Sequence, residues 1–219
     1  MLDNFARKKV IFTLLGIWFF GTLLVSCAKK ETKNINSRGK NIICFGDSIT
    51  YGVGAKAGGS YPAVLARMMS APVINAGVDG ETTGEALQRL QADVLDRDPL
   101  LVVIEFGGND MLRVVDVETT VRNMKEIVER IHAKGAMAAI VDVSVGPMLE
   151  GYRNAFYNIA QEKNVIFIPD IFNGIMLNNR LKSDLLHPND IGYKIIAQRI
   201  YRAITPYLNQ NSMIRRFGK

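Results

Sequence analysis

At 219 residues, with 48% hydrophobic and 22% charged residues, the chain has enough apolar surface to offset the entropy of folding, which excludes a disordered or collagen-like protein. A chain of this length buries roughly 70% of the surface its unfolded form exposes, so it needs no disulfide framework, and two cysteines with two histidines are too few for most zinc modules. The net charge of +6 comes from scattered basic residues without interleaved aromatics, so no nucleic-acid partner is expected, and with so few histidines and cysteines and no fitting glycine-rich nucleotide loop no metal or cofactor is expected either.

In chain order, Arg7, Lys8 and Lys9 precede an uncharged run from Val10 to Val25, too short for a confident spanning helix and suited to a signal peptide over residues 1–26. The run closes on Leu24-Val25-Ser26-Cys27, which resembles the lipobox of bacterial lipoproteins, where the cysteine is acylated and becomes the mature N-terminus. A plain membrane anchor with Cys27 incidental is the alternative, and either places the domain in the cell envelope, outside the cytoplasm. Without residues 1–26 the chain has 24 basic and 20 acidic residues, a net charge of +4. Residues 27–39 are polar and aperiodic and read as a flexible tether, so the domain is expected over 40–210, followed by a tail at 211–219.

Apolar, β-branched runs at Asn41 to Phe45, Pro72 to Asn75, Leu100 to Phe106, Ala136 to Val143 and Asn164 to Ile168 predict five buried strands. Between them, Tyr61 to Met69 is a helix with Ser60 as N-cap and Pro62 in its first turn, and Thr83 to Asp96 places Ala86, Leu87, Leu90 and Val94 on one face. Val121, Met124, Ile127, Val128 and Ile131 form another stripe ending at Gly135, and a last helix from about Asp190 to Leu208 is expected to bury Ile191, Ile195, Ile196, Ile200 and Ile204. This alternation predicts an α/β fold: a three-layer, doubly wound, flavodoxin-like sandwich with a five-stranded, mainly parallel sheet. Its ligand site lies beyond the carboxyl ends of the strands.

Polar clusters stand at those ends: Gly46-Asp47-Ser48-Ile49-Thr50 after the first strand, Gly77 to Thr82 after the second and Gly107-Gly108-Asn109-Asp110 after the third, with Asp184 to Asn189 opening the last helix. Each alone reads as a turn. Together, in this order, they resemble the SGNH (GDSL) hydrolase superfamily over about Asn41 to Tyr207, most closely its thioesterase I, arylesterase and lysophospholipase branch. The resemblance implies Ser48 as nucleophile, Asp184 and His187 as its partners, and Ser48, Gly80 and Asn109 as oxyanion donors. It departs at Glu81, where aspartate is common, and at Leu185, where glycine is common.

The chemistry is consistent with that assignment. A serine hydroxyl needs a base to take its proton. His132 falls on the polar flank of a helix near its C-terminus and reads as a solvated residue, which leaves His187, with Asp184 three residues before it to orient the ring. In isolation the pair reads equally as a helix cap and a surface histidine. Ser48 offers an unused N–H at a helix start, Gly80 a close-approaching N–H and Asn109 a side-chain amide. Asp47 reads as structural, bonding loop backbone, and Cys44 as a buried hydrophobe. Met111, Leu112, Val114 and Val115 suit an acyl-chain groove and a core-packing helix equally.

The expected activity is hydrolysis of small acyl esters, thioesters or lysophospholipids through an acyl-enzyme. The alternatives are a carbohydrate O-acetyl esterase on the same triad and a non-catalytic surface-binding lipoprotein.

Overall fold

The computed structural model describes residues 31–145 and 149–212. The expected signal peptide, Cys27 and most of the expected tail lie outside the described residues.

Five strands form the sheet: β1 (Asn41–Gly46), β2 (Val73–Gly77), β3 (Pro99–Glu105), β4 (Met137–Val141) and β5 (Ile166–Ile168). Their order is β2-β1-β3-β4-β5, and every ladder is parallel. Parallel strands covered on both faces must be apolar throughout, and β3 is buried at all seven positions. The strand order reverses between β1 and β3, which opens a crevice at their carboxyl ends.

Seven α-helices among the described residues flank the sheet: α1 (Ser48–Tyr51), α2 (Tyr61–Ala66), α3 (Thr83–Leu90), α4 (Gly108–Leu112), α5 (Val117–Ala133) and α6 (Glu150–Lys163) between strands, and α7 (Asp190–Gln210) after the last. Helices α2 and α7 pack together, while α3, α5 and α6 adjoin in turn. None of the described helices is long and apolar enough to cross a membrane.

Most elements match the sequence expectation to within two residues, and the departures have local causes. The helix expected over Thr83 to Asp96 starts with a capping box between Thr82 and Glu85, then widens into a π-helical turn at Gln91–Leu95 that brings both Val94 and Leu95 inward. Helix α2 stops at Ala66, where Arg67 turns back onto Val64. Helix α6 was not expected; it buries Tyr152, Phe156, Ile159 and Ala160 on one face. On α7 the inward face is Tyr193, Ile196, Ala197, Ile200, Ile204 and Leu208. Ile191, two residues before Tyr193 and so about 200° around the helix, is exposed instead of buried.

The stretch expected to be a flexible tether is docked from Lys33 onward. The Lys33 N–H donates to Asn164 O (2.9 Å), Asn34 Nδ2 donates to His132 O (3.0 Å) and Ala136 O (2.9 Å), and Ile35 is buried. Asn211, expected in the tail, is buried and donates from Nδ2 to Ser37 O at 2.9 Å. This cover corrects the reading of His132. The residue is buried, not solvated, and burial, with Lys33 and Lys163 nearby, lowers its pKa to about 4.

Candidate active site

The first strand end is shaped by close approach. A Cβ on Gly46 would lie 2.1 Å from Thr50 Oγ1 and 2.6 Å from Glu105 O, and one on Gly77 would lie 2.1 Å from the Tyr51 nitrogen. Glycine at both positions lets α1 fold straight back against the ends of β1 and β2. Asp47 caps α1, its Oδ1 accepting from Ile49 N–H at 3.0 Å, as the sequence suggested. Ser48 is therefore the first residue of the turn, and Gly52, at φ +100°, closes it by donating to Ser48 O.

The histidine that meets Ser48 comes from 139 positions away, with Asp184 three residues before it. An antiparallel bridge between Lys182 and Pro188 pinches the loop ahead of α7. Asn189 locks it, donating from Nδ2 to Arg180 O and Lys182 O while Oδ1 accepts from Ile191 and Gly192 N–H. The loop is seated on the turn after α1: Tyr193 OH donates to Val53 O at 2.7 Å, and a Cβ on Gly54 would strike Ser183 Oγ.

This seating places His187 Nε2 3.1 Å from Ser48 Oγ and His187 Nδ1 2.9 and 3.0 Å from the two Asp184 oxygens. Asp184 Oδ1 also accepts from Leu186 N–H (2.8 Å) and His187 N–H (2.9 Å), so the carboxylate is aimed by its own loop. Its pKa is held down at about 2 by the imidazole and then by the Leu186 N–H. The arrangement can carry a proton from Ser48 to His187 with the imidazolium stabilised by Asp184.

The other two expected donors are tied to Ser48 indirectly. Asn109, which follows Gly107 (φ +117°) in the first turn of α4, donates from Nδ2 to Asp47 Oδ2 (3.0 Å) and to Glu81 O (3.1 Å). One amide thus joins the first, second and third strand ends, with both its hydrogens engaged. Gly80, at φ +74°, is held through its carbonyl by Arg113 Nη2 at 2.6 Å, and Arg113 is in turn paired with Glu85. The backbone N–H groups of Ser48 and Gly80 donate to no acceptor among the described residues.

Several residues that support this frame were not singled out from the sequence. Glu105 ends β3 fully buried, accepts from Thr50 Oγ1 at 2.8 Å, and is pushed well above the usual carboxylate range by burial and by the charge of Asp47. Burial likewise raises Asp47 to about 6. Arg89 lies over the Phe45 ring and pairs with Glu81 and Asp93, fastening the second loop to the sheet. Asp110, fully buried, accepts from Thr83 N–H and from the Thr83 and Thr120 hydroxyls, fixing α4 to α3 and α5. Cys44 behaves as expected: it is buried, with its thiol pushed up to about 12. Among the described residues no group of three or more histidine, cysteine or acidic side chains is placed to hold a metal ion.

A serine at the carboxyl end of β1, beside the point where the strand order of a doubly wound sheet reverses, within reach of a histidine ahead of the last helix, is the architecture of an ester-bond hydrolase. The chain belongs to the GDSL-like Lipase/Acylhydrolase family, whose profile matches residues 44–195. It is 23% identical over 197 residues to the esterase TesA of Pseudomonas aeruginosa, covering 85% of this chain and 98% of that one. It is 28% identical over 180 residues to the thioesterase 1/protease 1/lysophospholipase L1 of Escherichia coli, covering 78% and 86%. Among solved structures it resembles the psychrotrophic esterase EstA from Pseudoalteromonas sp., with a TM-score of 0.70 and 28% identity over 78% of this chain and 99% of that one.

Proposed function

We propose that this ester-bond hydrolase is a lipid-anchored serine esterase of the bacterial cell envelope that cleaves acyl esters or thioesters through an acyl-enzyme. The observation that carries the catalytic reading is the 3.1 Å contact between His187 Nε2 and Ser48 Oγ. His187 takes the Ser48 proton as Oγ attacks the acyl carbonyl, and Asp184 stabilises the imidazolium. The oxyanion receives the free N–H groups of Ser48 and Gly80, each worth about 3–4 kcal/mol in cases where such a donor has been removed. Asn109 joins them by sharing a hydrogen now given to Asp47 or Glu81. The tetrahedral intermediate collapses, His187 protonates the departing alcohol or thiol, and a water activated by the same histidine releases the acid.

An acyl chain longer than the acetyl of a polysaccharide is favoured by the apolar residues around these loops. Leu185 and Leu186 stand between Asp184 and His187, Leu112 and Val114 follow Asn109, and all four are exposed. Val114 takes φ +54° as the left-handed cap that ends α4, with Val115 N–H donating to Asp110 O at 2.8 Å and Val114 N–H to Met111 O at 3.0 Å, and this leaves its apolar side chain 90% exposed. The cap needs only the backbone, so an exposed valine at a position that favours glycine is consistent with an apolar contact for an acyl chain.

Hydrolysis by the purified protein is to be profiled across acyl esters, acyl thioesters, lysophospholipids and acetylated sugars. Acyl substrates should dominate, and preference for acetylated sugars would overturn the substrate reading. A fluorophosphonate should label the parent at one site, and labelling that persists in Ser48→Ala rules out this nucleophile. The anchoring reading rests on Leu24-Val25-Ser26-Cys27. Cys27→Ser should release the protein from the membrane fraction or leave its signal uncleaved.

A further inference from the structure

The short path from Cys27 to the folded domain bears on which substrates the active site can meet. Every partner of the docked N-terminal segment lies at the amino end of the sheet. Lys33 is held by Asn164, just ahead of β5, and Asn34 by Ala136, just ahead of β4. Lys40 N–H donates to Asp98 O, just ahead of β3, and a Cβ on Gly39 would lie 2.1 Å from Pro99 O. Ser48, Gly80 and Asn109 follow the carboxyl ends of β1, β2 and β3. Because all the ladders are parallel, these are opposite poles of the domain.

We infer that the active site faces away from the membrane that anchors the protein and acts on water-borne acyl esters, not on lipids of that bilayer. This rests on the esterase and lipid-anchor readings above. The length of chain decides it. Five residues separate Cys27 from Lys33, and the six steps between them, fully extended, reach about 20 Å at 3.3–3.6 Å per residue. A domain of about 180 residues has a radius of gyration near 16 Å and is ~40 Å across. To turn its carboxyl-end crevice onto the bilayer, the tether would have to pass the whole domain, about twice its reach. Tilting lowers the site toward the membrane but does not invert it.

The exposed leucines around His187 then serve an ester that arrives through water, such as a monomeric amphiphile. A phospholipid packed in the anchoring leaflet is out of reach.

The test uses the acylated full chain in phosphatidylethanolamine/phosphatidylglycerol vesicles that carry an acceptor dye on the headgroup. Donor dyes are attached at Lys134→Cys, at the amino pole, or at Leu185→Cys, at the active-site pole. Cys44 is buried and Cys27 acylated, so each variant labels at one position. Energy transfer should be several-fold stronger from position 134 than from 185, and a 20-residue Gly/Ser insertion after Lys30 should narrow that gap. Stronger transfer from 185, or equal transfer from both without the insertion, overturns the orientation. Failure of the acylated chain to bind vesicles overturns the anchoring reading and this inference with it. Hydrolysis of a short soluble ester, measured in parallel, reports on the esterase reading separately and should be the same with and without the insertion.

Discussion

Asp184→Asn separates the ring-orienting role of this carboxylate from its place in the loop. In the parent, Asp184 Oδ1 is fixed by the N–H groups of Leu186 and His187, and both oxygens face His187 Nδ1. Those two N–H groups will hold the amide oxygen of the variant in the same place, which turns its NH2 toward Nδ1. Nδ1 must then accept, the ring proton moves to Nε2, and the lone pair that takes the Ser48 proton is lost. The equivalent change at a buried aspartate in a serine protease costs about 10⁴ in kcat. Asp184 is about half exposed, so water replaces part of what the carboxylate gives the imidazolium, and the expected loss is about 10²–10³, or roughly 3–4 kcal/mol of barrier. Neither oxygen is placed to touch the acyl chain, so KM should hardly move. Steady-state kinetics on protein shown to be folded by its melting curve reads both quantities. A kcat within threefold of the parent, or a loss confined to KM, would refute the pairing. His187→Ala must cost at least as much, because His132 is buried at the other pole.

The frame around the site gives further expectations. Asp47→Asn sets one NH2 group against that of Asn109, so it should lower both the melting temperature and kcat, and a variant that loses only stability would mean Asn109 needs no positioning. Val114→Gly should relieve the left-handed strain, stabilising the fold by about 1 kcal/mol, while raising KM for long-chain acyl esters and leaving short ones unchanged. His132 is held neutral, so its contribution to stability is complete above its unfolded pKa of about 6.5 and is lost as pH falls toward 4, by about 3 kcal/mol at most. Asp47, raised in the fold, acts in the opposite sense, its ionisation removing stability as pH rises from about 4 to about 6. Denaturant titrations of parent and His132→Phe across that range isolate the histidine: the variant should lose less stability on acidification, and parallel curves would refute the assignment.

The five strands and the loops that carry Ser48, Gly80, Asn109 and His187 were legible because buried parallel strands leave unbroken apolar runs, and the polar clusters stand where those runs stop. What escaped reading was set by contacts between distant residues. Glu105 reads as the polar end of a strand, and only the adjacency of β1 and β3 sets it against Asp47 and Thr50. Residues 33–39 have no apolar periodicity because they dock mainly through amide side chains and backbone, and the same contacts bury His132, which helical spacing alone puts on a wet face. Helix α6 had a usable signal in Tyr152, Phe156, Ile159 and Ala160, but the stripe is interrupted by charged and amide residues and starts shortly after Pro147 in the sequence.

The bond between Asn211 Nδ2 and Ser37 O closes a span of 174 positions. A contact of that separation cannot form until the last helix has been synthesised, and it is preceded by the cost of closing nearly the whole domain into one loop. Ser37 is therefore secured only when α7 is complete, so full docking of the segment ahead of β1 reports that the whole domain has closed.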